Sequence, residues 1–236
     1  MIPTISLDKI DQLQGSTSEI QRLYLVRHGQ SQLNLADADG VARVQGTSLQ
    51  VPLTEQGQNQ AQALLEKLKS KIQHLDLELI SSNALRATQT IAVFSKYLNK
   101  DVKTYPGLRE LGSGEWEGKR KEEEYKQAYK LWQDLSAKDK FHAPKMPGGE
   151  SPQEVAVRSM NDLTKAIEAS KGKTILGICH DMTSNVIYMH LNKVALSEEK
   201  GKDLPYINIG NCDILQIEVP AGKSIQEGKV TALIKA

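Results

Sequence analysis

Leu23-Tyr24-Leu25-Val26-Arg27-His28-Gly29-Gln30-Ser31 is an apolar run that ends abruptly in an arginine, a histidine and a glycine. β-Branched and aromatic residues favour extended structure, and strand ends in an α/β protein are where ligand groups are displayed. Arg27 and His28 are therefore candidates for a site. Successive strand residues face opposite ways, so both side chains reach one ligand only if the chain turns there, and Gly29 permits the turn. A guanidinium beside an imidazole suits an anion held next to a nucleophile.

Downstream, strand-like and helix-like patterns alternate. Leu53-Thr54-Glu55 opens a helix with Thr54 as N-cap and with Ala61, Leu64, Leu65 and Leu68 on one face. Leu77 to Ile80 reads as a short buried strand. The next helix lines up Ala84, Ala87, Ile91, Phe94 and Leu98, with Arg86 off that stripe near its start. Asp101 to Tyr105 is a further strand, closed by Pro106-Gly107. From Gly112 to Pro147 the alternation breaks into glycines, a charged run and an aromatic-bearing helical stretch, the pattern of an inserted cap over about 112–147. Ser151-Pro152-Gln153-Glu154 combines an N-cap serine, proline at the first helical position and the glutamate of a capping box. Thr174 to Cys179 is a buried strand that delivers His180, and Ile214 to Val219 and Val230 to Ile234 read as late strands. The order predicts a three-layer α/β sandwich, a mostly parallel central sheet flanked by helices with a helical cap insertion.

At 236 residues the chain is long enough for one large domain, read as a polar N-terminal extension over 1–20, loosely held, and a single domain over 21–236. Lysines and arginines number 30 against 29 acids, a net charge of +1, so no global field marks the protein for nucleic acid or for a membrane surface. Any anion site must be local. No stretch reaches the roughly 20 consecutive apolar residues of a membrane helix, and no secretory signal precedes the first strand. The two cysteines, Cys179 and Cys212, lie far apart and read as reduced thiols, which predicts a cytoplasmic protein. The reading is compatible with a homodimer but does not require one.

The strand ends at His28 and His180, the helix start at Arg86 and the turn at Glu110 fit strand termini feeding one crevice. A phosphoryl group needs several cationic donors, and Arg27 and Arg86 can grip its oxygens with paired hydrogen bonds that lysine cannot match. A neutral imidazole is a competent nucleophile, and attack by His28 would form a phosphohistidine. Glu110 could protonate the leaving oxygen and then, ionised, activate water. Glu115 and Glu117 are rivals for that role. The histidines and glutamates show no paired spacing on one helix that would argue for a metal, and Arg27 would oppose a cation.

These residues also carry a resemblance spanning nearly the whole chain beyond the polar N-terminus. Arg27-His28-Gly29-Gln30-Ser31 with Asn34, Gln45-Gly46 followed by Pro52-Leu53-Thr54 and Gly57, and Ser81-Ser82 through Arg86-Ala87 to Gln89-Thr90 stand in one order. Leu108-Arg109-Glu110, Gly114-Glu115-Trp116-Glu117-Gly118, Pro147-Gly148-Gly149-Glu150-Ser151 and the strand before His180 follow. The set resembles the histidine phosphatase superfamily, the phosphoglycerate mutase-like clan, in its short phosphatase-type branch. The resemblance implies that His28 is the phosphorylated nucleophile and that Glu110 is the proton donor. Arg27, Arg86 and His180 would bind the phosphoryl group, with His180 also counted as catalytic, and Asn34 would join them. Gln45, Gly46 and Asp181 would face the substrate, and no metal or other cofactor is expected.

Two positions depart from the family pattern. Gln30 stands where a glutamate is usual, a neutral change in second-layer hydrogen bonding. Asp181 stands where a glycine commonly follows the second histidine, so either its charge restricts the substrate or it caps the helix beginning near Met182. Taken together, the residues predict a phosphomonoester hydrolase with a small-molecule substrate. A cofactor-dependent phosphoglycerate mutase is the first alternative, and a non-catalytic phosphoprotein-binding module is the second.

Overall fold

The computed structural model describes residues 2–48 and 50–236. In chain order its strands are β1 (Thr4–Ser6), β2 (Ile20–Arg27), β3 (Leu77–Ser81), β4 (Val102–Thr104), β5 (Thr174–Cys179), β6 (Ile214–Pro220) and β7 (Lys229–Lys235). The helices are α1 (Glu55–Ile72), α2 (Leu85–Leu98), α3 (Glu123–Gln133), α4 (Ala137–His142), α5 (Pro152–Ser170) and α6 (Asp181–Leu191). The sheet runs β1-β7-β6-β2-β5-β3-β4, antiparallel on both sides of β6 and parallel elsewhere.

The strand period of two sorts the core into two layers. Leu23 and Leu25 of β2 face one side with Val155, Met160 and Leu163 of α5 and Val186 of α6. Tyr24 and Val26 face the other with Leu64 and Leu68 of α1 and Ile91 and Phe94 of α2. Helices thus cover both faces, as the alternation predicts. The caps form as read: Thr54 Oγ1 accepts from Gly57 N at 3.0 Å, and Ser151 and Glu154 satisfy each other's backbone donors reciprocally. Both α3 and α4 fall within residues 112–147.

The expected loose N-terminal extension is instead tied down. Thr4–Ser6 adds a parallel strand beside β7, and Leu7 and Leu13 are buried against α1 and the sheet. Two apolar side chains in a polar stretch are enough once a neighbouring strand edge offers backbone partners.

Register is what matters for function. β2, β5 and β3 lie side by side and parallel, with Arg27 opposite Cys179 and Ser81 opposite Ile178. Their carboxyl ends therefore emerge together, and the ladder extends one residue further through His28 N to Cys179 O (3.1 Å) and Ser82 N to Ile178 O (2.9 Å).

Candidate active site

His28 leaves the end of β2 only 2% exposed. Its Nδ1 lies 2.6 Å from the Gly29 carbonyl, which can only accept, so Nδ1 carries the proton and Nε2 carries the lone pair. Arg86 agrees with that tautomer by donating its Nε–H to His28 Nε2 at 3.2 Å. Burial and then the Arg86 charge lower the His28 pKa to about 3. The imidazole is thus neutral at physiological pH with its free nitrogen facing a guanidinium. Gly29 serves by close approach rather than by an unusual φ, because a Cβ there would sit 2.5 Å from Gly57 O where α1 crosses.

Arg86, read from the sequence as a phosphoryl-binding residue, is fully buried. Its guanidinium donates to Ser48 O (2.8 Å) and Gly46 O (3.2 Å), so the loop before α1 aims it at His28. His180 is also fully buried, with its ring centroid 4.9 Å from that of His28. His180 Nε2 lies 2.9 Å from Ser82 Oγ, a hydroxyl that can donate to that nitrogen or accept from it. His180 Nδ1 is buried and without a partner among the described residues. Arg27 donates to Ile209 O, while its Nε–H is likewise buried and unpartnered. An unsatisfied buried polar group costs about 1–3 kcal/mol, so two of them on residues flanking the His28 imidazole leave polar capacity that an external group can take up.

Glu110 sits at the amino end of α6. Its carboxylate accepts from Leu111 N (2.9 Å) and, at a long 3.3 Å each, from Met182 N and Thr183 N. Glu110 therefore takes the orphan donors of α6, so of the two readings of Asp181 the helix cap is not the one observed. Asp181 is the first helical residue rather than the N-cap, and its Oδ1 accepts from Asn185 Nδ2 at 3.1 Å while its Oδ2 is 3.9 Å from Arg27. Burial raises the Asp181 pKa, against the pull of Arg27. Of the rival carboxylates, Glu115 is exposed and Glu117 is committed to Thr47 N (2.8 Å), Thr47 Oγ1 (2.7 Å) and Ser113 N (3.2 Å).

A cavity of about 250 Å³ is walled by Arg27, His28, Asn34, Gln45, Gly46, Glu110 and Asp181, together with Lys121, Tyr125 and Lys145. All the expected site residues except Arg86 and His180 are on its wall, and those two contact His28. Asn34 Oδ1 is occupied by Ser31 N (2.8 Å) and Ser31 Oγ (3.0 Å). Residues not singled out from the sequence hold the set in place. Arg158 of α5 donates to Gly107 O, Arg109 O and Glu110 O and pairs with Glu150 at 2.8 Å, which fixes the loop that carries Glu110. Asn211 Nδ2 donates to His28 O at 2.8 Å. Among the described residues no group of three or more His, Cys, Asp or Glu is arranged to hold a metal ion. Burial pushes both thiols up to about 12, so neither cysteine is a nucleophile.

Comparison with known proteins gives a concordant result. The family profile of the histidine phosphatase superfamily (branch 1) matches residues 23–227. The chain is 32% identical over 160 residues to a probable phosphoglycerate mutase of Photorhabdus laumondii, covering 67% of this chain and 69% of that protein. It is 29% identical over 182 residues to a metal-independent phosphoserine phosphatase of Arabidopsis thaliana, covering 75% and 71%. A mycobacterial glucosyl-3-phosphoglycerate phosphatase shares the fold, with a TM-score of 0.67 at 22% identity over 89% of this chain and 95% of that one.

Proposed function

We propose, for a chain that belongs to branch 1 of the histidine phosphatase superfamily, that it hydrolyses small-molecule phosphomonoesters through a phosphohistidine on His28. The observation that carries this is the state of His28: neutral, with the Nε2 lone pair facing the Arg86 guanidinium at 3.2 Å and the His180 ring 4.9 Å away, centroid to centroid.

In the first step His28 Nε2 attacks phosphorus and the ester P–O bond breaks. Glu110, having taken up a proton with the incoming ester, gives it to the departing alcohol oxygen. The Arg86 Nε–H, freed from Nε2 as that nitrogen bonds phosphorus, turns to a phosphoryl oxygen. Arg27 Nε and His180 Nδ1 supply the remaining donors, so charge develops against dipoles already in place. In the second step Glu110, now ionised, takes a proton from water as its oxygen attacks phosphorus. The P–N bond breaks, inorganic phosphate leaves and His28 is restored. The two 3.3 Å contacts of Glu110 to α6 are weak enough to yield when its carboxyl turns to the leaving oxygen. No step draws on a metal. The free, buried thiols support a reducing, cytoplasmic setting.

The test is hydrolysis of an aryl phosphate in the presence of chelator by the purified protein and by His28→Ala. We expect turnover by the former and a loss of roughly 10⁴-fold or more in the latter. Equal rates would remove the covalent mechanism, and no turnover by either protein would leave the binding-module alternative. A phosphoglycerate mutase is the second reading, favoured by the similarity to the Photorhabdus protein. Phosphoglycerate supplied with catalytic bisphosphoglycerate decides between them, since isomerisation faster than hydrolysis reverses the ranking.

A further inference from the structure

Past Arg27, Lys145, Asp181 and Met182 the reaction cavity continues into a second hollow of about 390 Å³ that also touches Tyr129 and Tyr206. Lys145 stands at the junction and belongs to both walls. Its ammonium lies 5.2 Å from the Tyr129 ring centroid and 5.9 Å from that of Trp132. Those two rings stack on each other, and Tyr125 stacks on Tyr129, each step at 5.7 Å, so a ladder on α3 holds the lysine stem in one place. Among the described residues Nζ makes no hydrogen bond and no ion pair. The other sheltered lysine of this region, Lys140, behaves differently: it donates to Lys202 O (2.8 Å) and Asp203 Oδ1 (3.1 Å). Burial lowers the Lys145 pKa while the negative charge of Glu110 opposes the shift. Half-buried, set over aromatic rings and without a hydrogen-bond partner among the described residues, this ammonium is open to an anion brought by a ligand.

Resting on the phosphatase reading above, we propose that Lys145 is a specificity-determining residue that receives a carboxylate on the alcohol part of the substrate. A phosphoryl group held at His28 would project its alcohol along the wall shared by the two hollows, where Lys145 is the lysine, its Nζ without a hydrogen bond or ion pair among the described residues; Lys121 lines the first hollow only. On that shared wall one ammonium matches a monoanion. A second phosphoryl dianion would meet the Asp181 carboxylate on the same wall without a guanidinium fork to offset it. Asp181 thus sharpens the choice, because it repels in proportion to the incoming charge.

The experiment compares kcat/KM for 3-phosphoglycerate with that for glycerol 3-phosphate, which replaces the carboxylate by a hydroxymethyl group. O-phosphoserine against phosphoethanolamine is a second matched pair. For the unaltered protein the carboxylated member should win by about tenfold or more, expressed chiefly in KM. Lys145→Met should bring that ratio to about one, and Lys145→Arg should keep most of it. Should the methionine variant not fold, Lys145→Gln carries the same comparison. A ratio near one in the unaltered protein, or a ratio that Lys145→Met leaves unchanged, overturns the inference while hydrolysis of glycerol 3-phosphate and aryl phosphate still upholds the phosphatase. Failure to hydrolyse any of these esters removes the phosphatase reading and this inference with it.

Discussion

Arg86 donates to the same nitrogen that is proposed to attack phosphorus, so on that reading one side chain both guards the nucleophile and waits for the phosphoryl oxygens. The arrangement keeps His28 unprotonated, because an imidazolium N–H at Nε2 would point at a guanidinium. Glu110 is proposed to deliver the complementary proton to the leaving group. Only poor leaving groups need protonation in the transition state, so Glu110→Ala should slow a simple alkyl phosphate by roughly 10²–10⁴-fold. An activated aryl phosphate should lose less than about tenfold. Steady-state rates on the two esters measure this, and equal slowing would strip Glu110 of the role. Glu117 is no substitute, since its carboxylate is spent on Thr47 and Ser113.

At the scale of elements, loops reach the site because helices hold them. Glu110 lies on an irregular segment between β4 and α3, yet Arg158 on α5 grips three successive parts of it through Gly107 O, Arg109 O and Glu110 O. Glu150 answers Arg158 on the other side and also accepts from Gly112 N at 2.7 Å. Desolvation would raise the Glu150 pKa, but the bonds and charge of Arg158 prevail and lower it. Arg158→Met should therefore loosen the Glu110 segment while leaving His28 and its donors untouched. We expect about 2 kcal/mol of lost stability in denaturant unfolding. We also expect a fall in kcat for alkyl phosphates larger than that for aryl phosphates, the same signature as Glu110→Ala in weaker form. A loss of stability with the leaving-group pattern unchanged would confine Arg158 to packing. The end of β2 is pinned in the same manner by the segment ahead of β6, through Arg27 N to Asp213 O (3.0 Å), Cys212 N to Arg27 O (2.9 Å) and Asn211 to His28 O.

For the whole molecule, two buried imidazoles make folding sensitive to acid. Unfolded, each takes up a proton near pH 6.5, whereas in the folded protein His28 does so only near 3 and His180 is also lowered well below its ordinary value. The unfolded state therefore binds more protons in that window. Their contribution is whole above about pH 6.5 and is lost progressively as the pH falls below it, for His28 toward 3. Denaturant unfolding at pH 7, 6, 5 and 4 should show a shallower decline for His28→Gln than for the unaltered protein. Parallel curves would mean that His28 is not the proton-excluding group.

The order of strands and helices after the N-terminal stretch, the caps at Thr54 and Ser151 and the core stripes of α1 and α2 were legible in the sequence, because periodicity and capping are local and each is written within a few neighbouring residues. The short motifs around Arg27-His28, Arg86, Glu110 and His180 were legible for a related reason, since each sits at an element end. The sequence could not assign Glu110 rather than Asp181 to the amino end of α6. Nor could it show that the polar N-terminus adds a strand, that Arg158 holds the Glu110 loop, that Asn211 holds His28, or that Lys145 is left without an anion. Those outcomes depend on partners tens to nearly two hundred positions apart, meeting only because β2, β5 and β3 align their carboxyl ends in one register. Which charges then find a counterpart, and which stay open to a ligand, is a property of that packing and of nothing shorter.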